Sequence, residues 1–486
     1  MALSSPDAIV VGSGPNGLAA AITIAKAGRS VRVYEAATTP GGGVRSAELT
    51  LPGFSHDPCS AIHPAALASP FFRSLNLEQF GLEWIHSPAP LAHPLGGGRS
   101  VVLERSVNET AAGLGIDGRA WRRTFGPLVR AADDLVPEVL GPVVHLPRHP
   151  IVLARLGLPG LRSAATFARS AFRSPEAQAL FAGLAAHSMM ALDRPMSAAF
   201  GLIFGLFGHA YGWPTARGGS QQITDALVAI LHELGGELVT GHRVTSIGEL
   251  PSARAVLLDV TPRQLDAIAG DRLPTGYRRR LRRFRYGPGA FKVDWALSGP
   301  VPWLADGPRR AATVHLGGTL NEIQAAEAEV AAGRLPDRPF VLFVQQTPFD
   351  PSRAPVGMHT AWGYCHVPNG SPMDMTDRIE AQVERYAPGF RDLAIGRSVH
   401  GPSELEAYDE NYVGGDIAGG LQDWRQLVFR PVPRIDPYAT GGKGIYLCSA
   451  STPPGGGVHG MSGYLAAKSA LRRWADVRPP EDPIAG

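Results

Sequence analysis

Short β-branched runs alternate with small-residue helical patterns at both ends of the chain. Ala8-Ile9-Val10-Val11 is an apolar strand run, Leu18 to Ala27 a helical stretch closed by Gly28, and Val31-Arg32-Val33-Tyr34 a second strand. The same rhythm returns mid-chain, where Ile223, Ala226-Leu227, Ile230-Leu231 and Leu234 form one helix face. Gly235-Gly236 ends it before the strand Glu237-Leu238-Val239. Ala255 to Val260, Phe291 to Leu297 and Gly444 to Cys448 predict further strands, and a last helix is expected from about Ser462 to Arg473.

The chain has 486 residues, 44% hydrophobic and 18% charged, which points to more than one folding unit and excludes wholesale disorder. The formal charge of +3 is too balanced for a chain that lives on nucleic-acid phosphates. Cys59, Cys365 and Cys448 lie far apart, with neither a paired redox spacing nor a metal spacing. Met1 to Asp7 is too short and polar for a secretory signal, so a cytoplasmic location is expected. The best apolar stretch, Ala198 to Tyr211, is broken by Gly201, Gly205 and Gly208 and falls short of the roughly 18–20 residues that span a bilayer.

Between the first strand and helix stands Gly12-Ser13-Gly14-Pro15-Asn16-Gly17, and the second strand ends in Glu35, 23 residues after Gly12. This is the βαβ spacing of a dinucleotide site. Gly12 makes the turn, Gly14 lets backbone approach a pyrophosphate, and Gly17 lets the helix pack on the strand. The helix N-terminus supplies free N–H groups for phosphate. Glu35 suits a ribose hydroxyl pair, and its charge argues against a 2′-phosphate. Six residues on, Gly41-Gly42-Gly43-Val44-Arg45-Ser46 forms a second glycine cluster, with Arg45 as a candidate phosphate partner. Two glycine contacts on one dinucleotide suggest FAD over NAD. Near the other end, Ser449 to Met461 is a loop of small residues before the last helix, with Gly457, Val458, Gly460 and Met461 at its close. It reads either as a surface turn or as a helix start aimed at a flavin.

These segments, with Gly53-Phe54-Ser55-His56-Asp57, Gly212-Trp213-Pro214, Gly287 to Asp294 and Phe349 to Pro355, resemble the phytoene desaturase-type flavoprotein family across nearly the whole chain. The resemblance implies an α/β fold: a Rossmann-like FAD-binding domain of the glutathione reductase/amine oxidase kind, discontinuous in sequence, with an inserted α+β substrate domain. The expected pieces are 1–75, 215–265 and 431–486 for FAD, and 76–214 and 266–430 for substrate. By the same resemblance Val244 touches the adenine end through its backbone. Two departures stand out. Gly43 replaces the arginine usual after the paired glycines, and the segment Glu249 to Arg254 looks like a trimmed hairpin.

No second strand–glycine–helix unit is present, so electrons are expected to leave for a quinone or oxygen. Candidates beside the flavin are His459, His63 and Lys292. His459 reads as flavin-proximal or as a structural hydrogen bond; related amine-oxidising folds use a lysine near flavin N5, which makes Lys292 a candidate. His187 and His209 read as core or pocket-lining. Arg162, Arg169 and Arg173 fall on one side of an apolar helix, which suits a membrane interface or a solvated face. The leading expectation is dehydrogenation of an apolar small molecule in a pocket of low polarity. Alternatives are a polyene isomerase or saturase, an amine oxidase, and a non-catalytic FAD-stabilised interaction module. Oligomeric state is left open.

Overall fold

The computed structural model describes residues 5–474. Most of the Met1–Asp7 segment, and the third FAD-domain piece beyond residue 474, lie outside the described residues.

Five strands form one parallel sheet in the order Ile445–Leu447, Ala255–Leu258, Ala8–Val11, Val31–Tyr34, Glu237–Val239. Helices cover both faces, which is why Ala8–Val11, Ala255–Leu258 and Ile445–Leu447 read as unbroken apolar runs. Pro15–Lys26, Gln221–Glu233 and Met461–Leu471 pack on one side through Leu18, Ile22, Leu227 and Ala467. Leu265, Tyr277 and Leu281, from Pro262–Ala269 and Thr275–Leu281, pack on the other. The sheet thus draws strands from the start, middle and end of the chain. The expected hairpin near residues 249–254 does not form. After Glu237–Val239 the backbone makes a single 3-10 turn, Ile247–Glu249, closed by a capping box between Ser246 and Glu249, and then enters Ala255–Leu258.

A second sheet has seven strands in the order Ala394–His400, Gly289–Leu297, His359–Val367, Val341–Gln345, Ala311–Leu316, Ala89–Leu95, Arg99–Leu103. Every pairing is antiparallel except Ala311–Leu316 with Ala89–Leu95. Side chains alternate between faces, so one face collects Phe291, Val293, Trp295, Phe343, Cys365 and Val367 in an apolar core with Ile379, Val383 and Phe390. The other face carries Lys292 and Asp294, then Trp362, Tyr364 and His366, then His315 and His93. All but Tyr364 are fully buried. A buried sheet face that is not apolar has to be explained by what it serves.

The helix expected over 162–173 spans Ala164–Ala171, and its apolar face, Ala164, Ala165, Phe167 and Ala168, packs inward. Arg169 reaches Asn321 and Gln324, and Arg162 lies over the Phe167 ring. Tertiary packing has taken the surface that a membrane would have needed. Among the described residues no helix is long and apolar enough to cross a membrane.

Candidate active site

The tight turn after the first strand and the second glycine cluster are pressed together. A Cβ on Gly42 would stand 3.2 Å from the Gly14 Cα, and Gly17 packs directly on the Gly12 carbonyl. Gly41 has φ +124° and faces Thr224, so glycine is required there on both counts. Glu35 accepts from the Ser13 N–H at 2.9 Å and hydroxyl at 2.6 Å, and from the Ala37 N–H at 2.8 Å. Arg45 stands 3.6 Å from Glu35, with its guanidinium over the Tyr408 ring. The missing arginine at 43 has a physical reason, because the Tyr412 hydroxyl fills the space its side chain would enter. Val244 is buried in the cluster that holds Val11 and Tyr34, at the end of the second strand.

The C-terminal loop closes on the same place. Met461–Leu471 lies against Pro15–Lys26 so tightly that Gly463 rests on the Asn16 carbonyl. Asn16 is buried, with an Oδ1 that has no partner, and Gly14 caps the helix without a side-chain hydrogen bond. Bare backbone at Gly14 and Gly42 beside the start of the helix forms a cradle that fits a dinucleotide's phosphates, and the orphaned Asn16 Oδ1 is an acceptor open to a donor of the same ligand. Gly457, Val458 and Gly460 lie in the turn leading into this helix, and Met461 is its first residue, fully buried.

His459 is spoken for. Its Nδ1 accepts from the Met461 N–H at 3.0 Å, and burial holds the ring neutral, with its pKa pushed down to about 4 against the pull of the Gly455 and Gly456 carbonyls. His63 bonds the Ser220 hydroxyl through Nε2 at 2.9 Å, while its Nδ1 is buried without a partner. Burial pushes its pKa down to about 4, opposed by the Asp57 charge. Lys292, which a strand lysine would usually expose, is 3% exposed; its ammonium pairs with Asp294, donates to the Asp57 carbonyl at 3.1 Å, and lies 5.0 Å from the Trp362 ring centre. Asp57 is itself fixed by the Ser46 hydroxyl at 2.6 Å, the Ser220 N–H at 2.8 Å and the fully buried Arg353 at 2.8 Å. Burial alone would raise the Asp57 carboxyl, but the Arg353 charge and these donors hold it below the usual range.

From Lys292 a row of rings runs along the polar sheet face. Trp362 stacks on Tyr364, Tyr364 lies 5.6 Å from His366, and Phe340 stands between His366 and His315. His315 meets His187 nitrogen to nitrogen at 3.0 Å, and His187 stacks on Phe204. Burial, with neighbouring histidines adding to it, pushes the His187 ring to about 3 and His315 well below its ordinary value, so both are neutral. His366 directs Nδ1 at both Glu327 oxygens at 2.9 Å, leaving Nε2 buried without a partner. His93 Nδ1, His315 Nδ1 and Trp362 Nε1 are likewise buried and unpartnered. Rings and imidazoles thus gather on this face, which period-two alternation separates from the core of Phe291, Val293, Trp295 and Phe343 behind. His209, by contrast, is a satisfied core residue, between the Trp121 indole at 3.0 Å and the Arg105 carbonyl at 3.2 Å.

Sequence reasoning missed Glu327, His366, His315 and His93, which lie far apart in the chain. The available signal was the alternation of Trp362, Tyr364 and His366 along one strand. It also missed Asp259, whose carboxylate accepts from the Gly17 N–H at 2.8 Å inside the glycine turn.

The family model of an NAD(P)-binding Rossmann-like domain matches residues 10–75. The chain is 25% identical to the pyridine nucleotide-disulfide oxidoreductase domain-containing protein 2 of Rattus norvegicus, over 96% of this chain and 93% of that protein. It is 24% identical to a phytoene desaturase (lycopene-forming) of Pseudescherichia vulneris, over 52% of this chain and 55% of that enzyme. An oxidoreductase from Methanosarcina mazei has the same fold, with a TM-score of 0.64 at 16% identity over 96% of this chain and 100% of its own. The glycine turns, the discontinuous parallel sheet and these relatives together make the chain an oxidoreductase similar to the phytoene desaturases and, over nearly its whole length, to pyridine nucleotide-disulfide oxidoreductase domain-containing protein 2.

Proposed function

We propose that the dinucleotide is FAD and that the chain takes a hydride from a largely apolar, ring-bearing or conjugated substrate, with electrons passing on to a quinone or oxygen. One observation carries this reading: Lys292, on the polar face of the seven-stranded sheet, bonds the backbone of Asp57 in the dinucleotide domain. The buried ring-lined face thus begins where the cofactor domain ends. Bound FAD supplies a two-electron acceptor. The backbone at Gly14 and Gly42 and the helix N-terminus would hold its phosphates, and Glu35 its ribose. The chain's other part is to exclude water, to hold a flat apolar body against Trp362, Tyr364 and Phe340, and to keep Lys292 in place through Asp294.

The Glu327–His366 pair favours a second reading. An imidazole backed by a carboxylate, with its far nitrogen free, suits acceptance of a proton from a heteroatom, as oxidation of an alcohol or amine demands and C–C desaturation does not. Asp294 and Glu327 are already paired, so no free anion awaits an ammonium, and the alcohol is the better match.

Anaerobic mixing of the purified yellow protein with a polyene hydrocarbon, and separately with a conjugated allylic alcohol, tests both. Bleaching of the oxidised-flavin band by the hydrocarbon is the expected result of desaturation, and bleaching by the alcohol alone selects the second reading. Turnover only after prior reduction would indicate an isomerase. Tight flavin that no substrate bleaches would indicate a binding module.

Membrane contact, if the substrate is collected from lipid, is proposed to use Val144, Leu146, Ile151 and Leu158. They are exposed by 68, 93, 71 and 69%, and Ile151 and Leu158 stand together with Arg155 on the helix Pro150–Gly160. Co-sedimentation with anionic vesicles is expected. The double substitution Ile151→Glu with Leu158→Glu should abolish it, since burial of each side chain is worth about 1.5–3 kcal/mol.

A further inference from the structure

The strand Ala255–Leu258 runs parallel to Ala8–Val11 with Leu258 opposite Val11, so the residues that follow them, Asp259 and Gly12, emerge side by side at the same sheet edge. Asp259 is pinned on every side. Its N–H donates to the Val11 carbonyl at 2.7 Å, and its carbonyl accepts from Asn411 Nδ2 at 3.1 Å. Its Oδ2 accepts from the Gly17 N–H at 2.8 Å, and a Cβ on Gly14 would come within 2.9 Å of that same oxygen. The carboxyl group therefore stands in the first turn of the helix Pro15–Lys26, against the glycine whose bare backbone a pyrophosphate approaches.

An ionised carboxylate there would face a dinucleotide's phosphates with like charge in a buried site. The surroundings add more negative charge. Glu35 closes the second strand, and the Asp409 carboxylate comes within 3.4 Å of a Cβ placed on Gly42. Arg45, the nearby cation, is engaged with Glu35 and Tyr408, and Cys448, on the neighbouring strand, is a buried thiol whose pKa is raised by burial and by Asp259. We propose that Asp259 is part of the phosphate site and occupies it as a neutral carboxylic acid, so that binding of the dinucleotide is coupled to one proton. Oδ2 accepts from Gly17, and Oδ1 carries the proton and donates it to a phosphate oxygen. The inference rests on the reading of the cradle as an FAD site.

The electrostatics run the same way. Burial raises the Asp259 carboxyl, the Gly17 N–H opposes it, and the Asp409 and Glu35 charges raise it further, to about 8. A bound phosphate favours the protonated form still more. Affinity is accordingly full below that pH and falls above it, as the free protein must recover a proton before binding.

Flavin fluorescence during titration of apo-protein with FAD, from about pH 6.5 to about pH 9.5, reads this directly: Kd should be flat up to about pH 8 and then rise about tenfold per pH unit. Asp259→Asn keeps the shape and a donor without the charge, and should make Kd flat across the range, near the low-pH value of the wild type. Asp409→Asn removes a neighbouring charge and should move the break to lower pH. A wild-type Kd independent of pH, or an Asp259→Asn variant as steep as wild type, overturns the proposal. The wild-type titration decides it even if the variants fold poorly. A protein that takes up no FAD at any pH would instead defeat the cofactor reading itself.

Discussion

Replacing Lys292 by methionine is expected to cost about 3–5 kcal/mol of stability, because it strands the Asp294 carboxylate in a fully buried sheet face. No other cation stands ready: His56 and His400 approach Asp294 only to 3.6 and 3.9 Å, and burial, outweighing the Asp294 charge, lowers the His400 pKa. The urea midpoint of Lys292→Met should fall accordingly, and the double variant Lys292→Met with Asp294→Asn should recover most of the loss, since no unpaired charge remains. Flavin reduction by substrate should not recover with it, because the ammonium that links the sheet to the Asp57 backbone is still missing. If one variant restores both, Lys292 serves the fold alone; if the single variant is as stable as wild type, the pair is not buried as described.

Gly463→Ala is expected to destabilise the chain by about 3 kcal/mol or more, at the upper end of overpacking costs, and to release the cofactor. The new methyl would land on the Asn16 carbonyl, a backbone atom that cannot swing aside, and would force Met461–Leu471 away from Pro15–Lys26. That contact joins the two extremities of the chain at the dinucleotide cradle. Gly28→Ala is the control: with φ +71° and nothing within 4 Å, it should cost only about 1 kcal/mol and leave the flavin bound. Thermal unfolding, with flavin absorbance after gel filtration, checks both. Retention of flavin by Gly463→Ala would show that the C-terminal helix does not support the site.

Much of the dinucleotide cradle is legible in the sequence because its parts are local. A strand, three spaced glycines, a helix and an acid at the next strand end fall within 35 residues, and local backbone dictates Gly12 through its φ of +97° and Gly17 through the Gly12 carbonyl it packs on. The helix over 164–171 shows where such reading fails. Its arginines and apolar positions are a fair amphipathic pattern, yet a pattern does not say whether lipid or the rest of the protein covers the apolar side, and here Phe167 and Ala168 are covered by the core. His459 left the same choice open, because a histidine beside a helix start can cap the helix as easily as face a ligand, and here its Nδ1 accepts from the Met461 N–H.

The sequence by itself determined the nucleotide-binding turn, the return of the chain's end to it, and the alternation that separates the two faces of the seven-stranded sheet. Only the tertiary structure decided what those faces meet. Asp259 entered the glycine turn because two parallel strands end at the same level. His93, His315, Glu327 and His366 became one buried row, with the half-buried His187 against His315, because strand pairing and helix packing bring distant residues together. Such neighbours are chosen by the register of the sheets and the packing of helices upon them, and neither is written in any local stretch of sequence.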